Sequence, residues 1–336
     1  MAEDTVPVLS VRDLAVEFQQ PGGAVRALDS VSLDLRPGRV LGVVGESGCG
    51  KSVTARAILR ILDRNGAITH GSVILDPGTG REIDLTSLGA QSAGMRDIRG
   101  GRVGLIFQEP MAALSMQYTV GNQLMEAIRV HRDPGKAAAR ERAINLLHEV
   151  GIPRPETRVD AYPFQLSGGL RQRVGIALAL AADPDILIAD EPTTALDVTT
   201  QAQILALLRR LQRDKRIALM LITHDMGVIA QMADDVAVMY LGRIVEYAPV
   251  EQIFGAPQHP YTRALLRSVP SMRARPRSRL STIGGAVPQP IARPQGCPFH
   301  PRCPDAIVGR CDTIAPAPVP PGAVGTSCFL VKDAAA

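Results

Sequence analysis

Tryptophan is absent from this chain, and aromatic residues make up only 3% of it. Any aromatic side chain near a candidate site therefore stands out. Long apolar runs are missing as well. Those at residues 186–189 and 217–223 are strand length, well short of the roughly 20 residues that a membrane-crossing helix requires. The 46% apolar content thus points to a packed core and not to a span. A strong charge bias is also lacking. A net charge of +4 over 336 residues is too mild to argue for a nucleic-acid partner. The one basic cluster, Arg273, Arg275, Arg277 and Arg279, lies in a proline-containing segment. It reads as a solvated linker, with contact to anionic lipid or nucleic acid as the other options. Residues 1–5 carry two acids, and no charged-then-apolar stretch follows. No secretory leader is expected, and a cytosolic location is.

Against these absences one stretch is dense with information. Residues 40–54 read VLGVVGESGCGKSVT: a short apolar run, then Gly45, Glu46, Ser47, Gly48, Cys49, Gly50, Lys51 and Ser52, then helical spacing from Val53. This is strand, glycine loop and helix in the G-x-x-x-x-G-K-[ST] pattern. Glycines let successive backbone N–H groups turn inward as an anion nest, and the helix start adds its positive dipole end. Lys51 is expected to reach the outer phosphates of a nucleotide and Ser52 to offer its hydroxyl to Mg²⁺. An ordinary glycine-rich turn before a helix is the plain alternative.

Alternation at residues 8–18 and 27–35, separated by Gln20-Pro21-Gly22-Gly23, predicts a β-hairpin arm ahead of the nucleotide strand. Phe18 then ends near the bound base as a candidate for adenine stacking, with a plain core or edge phenylalanine as an equal reading. Residues 71–85 look like a further strand pair, and 102–107 like a buried strand ending at Gln108. From 120 to 151 the spacing turns helical, broken at Asp133-Pro134-Gly135. Strands then return at 185–190, 217–223 and 236–240, the last with a hairpin partner at 243–247, and helices at 201–212 and 226–233 fall between them. The expected class is α/β: a mostly parallel core sheet covered on both faces, an antiparallel arm and a helical insert.

Four further motifs resemble those of ATPases of the ATP-binding-cassette (ABC) family. Gln108 follows a strand. Leu166-Ser167-Gly168-Gly169-Leu170-Arg171-Gln172-Arg173 opens a helix. Ile186-Leu187-Ile188-Ala189-Asp190-Glu191 is followed by Thr194-Ala195-Leu196-Asp197, and His224 closes a strand. The resemblance covers roughly residues 8–255. It implies that ATP is held by Phe18, Gly45, Ser47, Gly48, Cys49, Gly50, Lys51, Ser52 and Val53. Mg²⁺ is implied at Ser52, Gln108 and Asp190. Glu191 is implied as the general base on water, with His224 contacting the γ-phosphate and Gln108 the lytic water. Ser167, Gly168 and Gly169 expose backbone donors at a helix start. In the family this nest faces ATP held by a second cassette, so a dimer is implied, homo or hetero. Leu170 stands where many relatives carry Gln, which leaves the donors unaffected.

From Pro257 onward the composition shifts, with 14 of the 26 prolines in this tail. Residues 1–255 are therefore read as the cassette, with a helical subdomain at about 109–170, and 256–336 as a Pro/Cys-rich C-terminal extension. The tail wording is Gln258-His259-Pro260-Tyr261-Thr262-Arg263-Ala264-Leu265-Leu266, then Val269-Pro270, then Gly296-Cys297-Pro298-Phe299-His300-Pro301-Arg302-Cys303-Pro304. It resembles the C-terminal region of ATP-binding subunits of bacterial oligopeptide and dipeptide importers. That implies two integral-membrane permeases, an extracytoplasmic peptide-binding protein, a sister ATPase and a peripheral place on the cytoplasmic face of the plasma membrane, with no nucleic acid. Cys297, Cys303, Cys311 and Cys328 form C-x5-C-x7-C-x16-C. Disulfides are disfavoured in the expected compartment. Four thiolates suit a [4Fe-4S] cluster or zinc, with no metal as the third option and His300 as a weaker ligand. Relatives often read Asp-Pro-Met-Thr-Ser-Leu-Asn-Pro after the glutamine, whereas this chain has Glu109-Pro110-Met111-Ala112-Ala113-Leu114-Ser115-Met116. That surface resembles the one receiving the permease. Rival readings are an importer of nickel or another small solute, a soluble cassette ATPase acting on DNA or ribosomes, and a degenerate cassette without turnover.

Overall fold

The computed structural model describes residues 6–109, 113–132, 134–269 and 283–331. The cluster Arg273, Arg275, Arg277 and Arg279 lies outside the described residues, as do residues 1–5, Pro110 to Ala112, Asp133 and Pro270. Among the described residues no helix is long and apolar enough to cross a membrane. Two compact units are formed. The first comprises residues 1–34, 40–87 and 223–336, the second 35–39 and 88–222.

In the first unit, β1 (Leu9–Gln20) and β2 (Gly23–Leu35) are the expected arm. Strand β4 (Gly66–Leu75) adds to β1 antiparallel, and the short β5 (Ile83–Asp84) closes the order β2-β1-β4-β5. The strand β4 starts five residues earlier than the alternation from Gly71 suggests, because Phe18 pairs across β1 with Gly66 and lays its ring where a side chain would stand. A second layer has the order β11-β10-β9-β3. Here β3 (Val40–Val44), buried along its whole length, runs parallel to β9 (Asp235–Tyr240). The strands β10 (Arg243–Pro249) and β11 (Gly325–Thr326) continue it antiparallel, so the tail supplies the last strand.

The helices α8 (Met226–Met232), α9 (Val250–Gly255) and α10 (Pro260–Ser268) pack against this layer. The scarce aromatics concentrate here. Tyr240 on β9, Tyr261 on α10 and Phe299 of the tail meet at ring-centroid distances of 4.7, 5.2 and 5.3 Å. All three are fully buried, in one apolar cluster with Val44, Ile253, Cys297 and Cys311. The polar link is Glu246 on β10, 1% exposed, which accepts from the backbone N–H groups of Gln258 (2.7 Å) and His259 (2.9 Å). His259 in turn caps α10, its Nδ1 accepting from the Tyr261 N–H at 3.0 Å. A side-chain oxygen or ring nitrogen in this place satisfies one of the orphan donors at a helix start.

In the second unit β6 (Val103–Ile106), β7 (Ile186–Asp190) and β8 (Ala218–Thr223) are parallel neighbours. Between β6 and β7 the chain is helical, as expected, with α3 (Val120–Arg132) and α4 (Lys136–Glu149) either side of the proline–glycine break. Ala139, Ala143, Leu146 and Leu147 of α4 are buried, which is the spacing of one apolar helix face. The short α2 (Ala93–Ile98) and α5 (Pro155–Arg158) flank this pair, and α6 (Gly168–Ala179) leads back to β7. The following α7 (Val198–Lys215) exceeds the expected 201–212 at both ends. Asp197 starts it by accepting from the Thr200 N–H at 2.9 Å, a side-chain cap that a count of apolar residues does not register.

Burial, with Arg263 close by, lowers the His259 imidazole from 6.5 to about 3. The unfolded chain therefore takes up a proton near pH 6.5 that the folded chain refuses. Stability is fully present above pH 6.5 and falls as the pH drops from there toward 3. Urea unfolding at pH 5.5 should show the protein less stable than at pH 8 by about 1.4 kcal/mol from this group. A His259→Asn variant should lose that share of the pH dependence.

Candidate functional site

The strand β3 delivers the chain to the loop, and α1 (Lys51–Ile58) takes it away. Backbone chemistry dictates the glycines. Gly50, the residue before α1, has φ +106°, and a Cβ there would meet the Leu28 side chain at 2.7 Å. At Gly45 a Cβ would stand 2.2 Å from the Met239 carbonyl oxygen of β9, so the loop leaves the sheet too close to its neighbour for any side chain. The loop is pinned from outside by Gly242 N–H to Cys49 O (2.9 Å) and within by Cys49 N–H to Glu46 O (3.2 Å). Lys51 is buried, its Nζ donating to the carbonyls of Gly45 (2.8 Å) and Glu46 (3.0 Å). Ser47 and Gly48 are exposed at the tip, and Ser52 and Val53 are half-buried. Burial raises the Cys49 thiol, with Lys51 opposing that shift. The residues fit a triphosphate: an open concave backbone, a helix start behind it and one ammonium within it.

Two contacts to this loop are invisible in the motif itself. The Glu46 N–H donates to the Tyr261 hydroxyl at 2.9 Å. The Glu46 carboxylate is gripped by both ends of the Arg302 guanidinium, at 2.7 and 3.0 Å. Both partners belong to the tail. The signal for them in the sequence is the tail's own wording, His-Pro-Tyr and Phe-His-Pro-Arg.

In the second unit Asp190 ends β7, 7% exposed. Glu191 follows with φ +46°, a conformation that costs a non-glycine residue about 1–2 kcal/mol and clusters at functional positions. Its N–H is held by the Ile222 carbonyl at 2.9 Å. Its Oε2 accepts from Gln108 Nε2 (3.0 Å) and from the Thr194 hydroxyl (2.9 Å). The structure thus brings Gln108 and Glu191 together, and gives Thr194, the first residue of the following motif, a contact with the same carboxylate. Ser167 stands just before α6, and Gly168 and Gly169 form its first turn. Gly168 is exposed, while Gly169 lies so close to α7 that a Cβ would meet the Thr200 side chain at 2.7 Å. His224, in the first unit, is exposed just after β8. Phe18 is half-buried near the end of β1, its ring over Gly66.

The four tail cysteines require a correction. The expectation of a four-thiolate [4Fe-4S] or zinc site is overturned, because among the described residues no three His, Cys, Asp or Glu side chains are grouped so as to hold a metal ion. All five cysteines are free thiols, and Cys297 and Cys311 are buried in the apolar cluster with Tyr240, Tyr261 and Phe299. Burial first, then the neighbouring thiols, pushes Cys297 up to about 11. Burial also raises Cys303 and Cys328.

A glycine nest between a buried strand and a helix in one unit, with an acidic strand end and a Ser-Gly-Gly helix start in the other, is the set of elements that an ABC-type ATPase carries. A family model described as ABC transporter matches residues 28–194. A second, described as Oligopeptide/dipeptide transporter, C-terminal region, matches residues 245–311. The chain is 48% identical over 310 residues to "Dipeptide transport ATP-binding protein DppD" of Bacillus subtilis, covering 92% of this chain and 90% of the relative. It is 46% identical to the protein of the same name from Escherichia coli, covering 92% of each. Among solved structures it resembles the dimeric structure of MJ0796, a bacterial ABC transporter cassette, and that cassette's post-hydrolysis dimer bound to ADP and Pi. Each has a TM-score of 0.62 and 27% identity, over 72% of this chain and 98% of the other. The chain belongs to the ABC transporter family, as an ATP-binding, ATP-hydrolysing cassette subunit.

The Gly45 contact gives a direct test. Gly45→Ala should displace the loop from β9, lower stability by about 1–3 kcal/mol and abolish measurable ATP binding in calorimetric titration. Wild-type affinity in that variant would show that the loop's place against Met239 is immaterial to the nucleotide.

Proposed function

We propose that this chain powers inward transport of oligopeptides or dipeptides, as the ATP-hydrolysing subunit of an importer whose permeases span the plasma membrane. The observation that carries the reading is the joint match of one chain to the cassette and to the peptide-transporter C-terminal region, at 46–48% identity to dipeptide transport subunits. The chain then sits peripherally on the cytoplasmic face, beside two permeases and a second cassette subunit, identical or sister. An extracytoplasmic peptide-binding protein is an indirect partner. The cassette is assigned to residues 1–255, its helical subdomain to about 109–170 and the C-terminal module to 256–336.

The roles follow from the chemistry of the side chains. Gly45, Ser47, Gly48, Cys49, Gly50, Lys51, Ser52 and Val53 hold the phosphates, and Phe18 stacks on the base. Ser52, Gln108 and Asp190 are the residues for Mg²⁺, which when bound neutralises charge on the phosphates. Glu191 acts as general base on the attacking water. Its hydrogen bonds from Gln108 and Thr194 fix where its carboxylate points. His224 orients the γ-phosphate, and Ser167, Gly168 and Gly169 bind the nucleotide of the partner cassette.

A Glu191→Gln variant in the assembled complex should lose ATP turnover by about a hundredfold or more while still binding ATP. Turnover at the wild-type rate would remove Glu191 from the chemistry. Affinity purification of the tagged chain from detergent-solubilised membranes should recover two polytopic permeases and a second cassette subunit. Recovery of ribosomal or DNA-processing proteins alone would sink the transport reading.

A further inference from the structure

The phosphate loop contains a charge of the wrong sign. An anion nest gains from every positive dipole aimed into it, yet Glu46 places a carboxylate on the residue after Gly45, inside the loop that ends in Lys51 and Ser52. A free carboxylate there opposes the triphosphate by like-charge repulsion, which is strong where water is partly excluded. In the structure Glu46 is not free. Both its oxygens are taken by Arg302, whose side chain is 3% exposed against 25% for Glu46.

The guanidinium is itself over-determined. Its Nε donates to the Gly284 carbonyl at 2.9 Å, and a terminal nitrogen also reaches the Tyr240 hydroxyl at 3.3 Å. Its Cζ lies 5.8 Å from the Tyr240 ring centroid and 6.0 Å from that of Phe299. Such a bidentate, ring-flanked seat suits arginine and not lysine. The hydrogen bond to Glu46 is the first cause of the raised basicity of Arg302, so the cation persists at every working pH. Beside it, the Tyr261 hydroxyl holds the Glu46 N–H, fixing the backbone of the same residue.

We propose that Arg302 is a positioning residue of the nucleotide site, supplied by the C-terminal module, which neutralises the Glu46 carboxylate and pins it away from the bound triphosphate. The tail thereby sets the ATP affinity of the loop. Any event that undocks residues 296–304 leaves an uncompensated acid beside the phosphates and weakens ATP binding. This rests on the reading of residues 45–52 as the phosphate cradle.

The test is a charge cycle read by calorimetric titration of Mg·ATP into the full chain. Arg302→Gln should weaken binding by about tenfold, the effect of one unbalanced negative charge near phosphate at a partly buried site. Glu46→Gln, which leaves Arg302 as an unpaired cation, should tighten it a few-fold, and the gain should shrink in high salt. The double variant should return close to the wild-type value, the rescue that marks a coupled pair. Weakened binding in both single variants, with no recovery in the double, would reduce the bridge to a structural staple and overturn the proposal. Unchanged affinity in Arg302→Gln would overturn it too. Should Arg302→Gln fail to fold, the direction of the Glu46→Gln shift alone decides. Failure of the wild-type chain to bind ATP would instead count against the cradle itself.

Discussion

A loop that grips phosphate with its backbone carries few side chains on its inner face, and here Lys51 and one Cys49–Glu46 backbone bond are what it has of its own to hold it in shape. The rest of its form has to be imposed from outside. Here β9 presses against Gly45 through the Met239 carbonyl, and the turn after β9 binds Cys49 through Gly242. The tail supplies the remaining support through Tyr261 and Arg302, both directed at Glu46. Much of the first unit can be understood as scaffolding for this one irregular segment.

That view explains where the rare aromatic residues went. Three of them, with His259, form the apolar cluster by which the tail packs on the sheet, and Tyr240 lies on the very strand that buttresses the loop. Buried aromatic contacts of this size hold an appendage firmly. A second anchor is ionic. Asp29 on β2 resists the upward pull of its own burial because Arg293 of the tail and Arg243 of β10 lie against it, and its acidity is increased. The module is thus fixed to the arm, the sheet and the phosphate loop together.

Local signals carried most of the fold. Alternation placed the arm, glycine and lysine placed the loop, and proline–glycine punctuation separated α3 from α4. Where the chain's local pattern was misleading, a distant partner or a cap was responsible: β4 extends to Gly66 because of Phe18, and α7 begins early because of Asp197. The candidate site divides in the same way. Lys51 and the acidic pair are contiguous motifs, whereas the partner of Glu46 lies 256 residues further along the chain, where no spacing rule reaches. The cysteine spacing was over-read for a related reason. Spacing says nothing about burial, and Cys297 and Cys311 lie inside an apolar cluster where burial raises the Cys297 thiol.

Through these contacts the phosphate loop and the C-terminal tail behave as one mechanical unit. Amide hydrogen exchange of the full chain, with and without Mg·ATP, tests it most directly. Nucleotide should slow exchange in residues 45–53 and, in the same step, in residues 259–268 of the tail, through the Tyr261 and Arg302 contacts. Protection confined to the loop, with the tail exchanging at an unchanged rate, would contradict it.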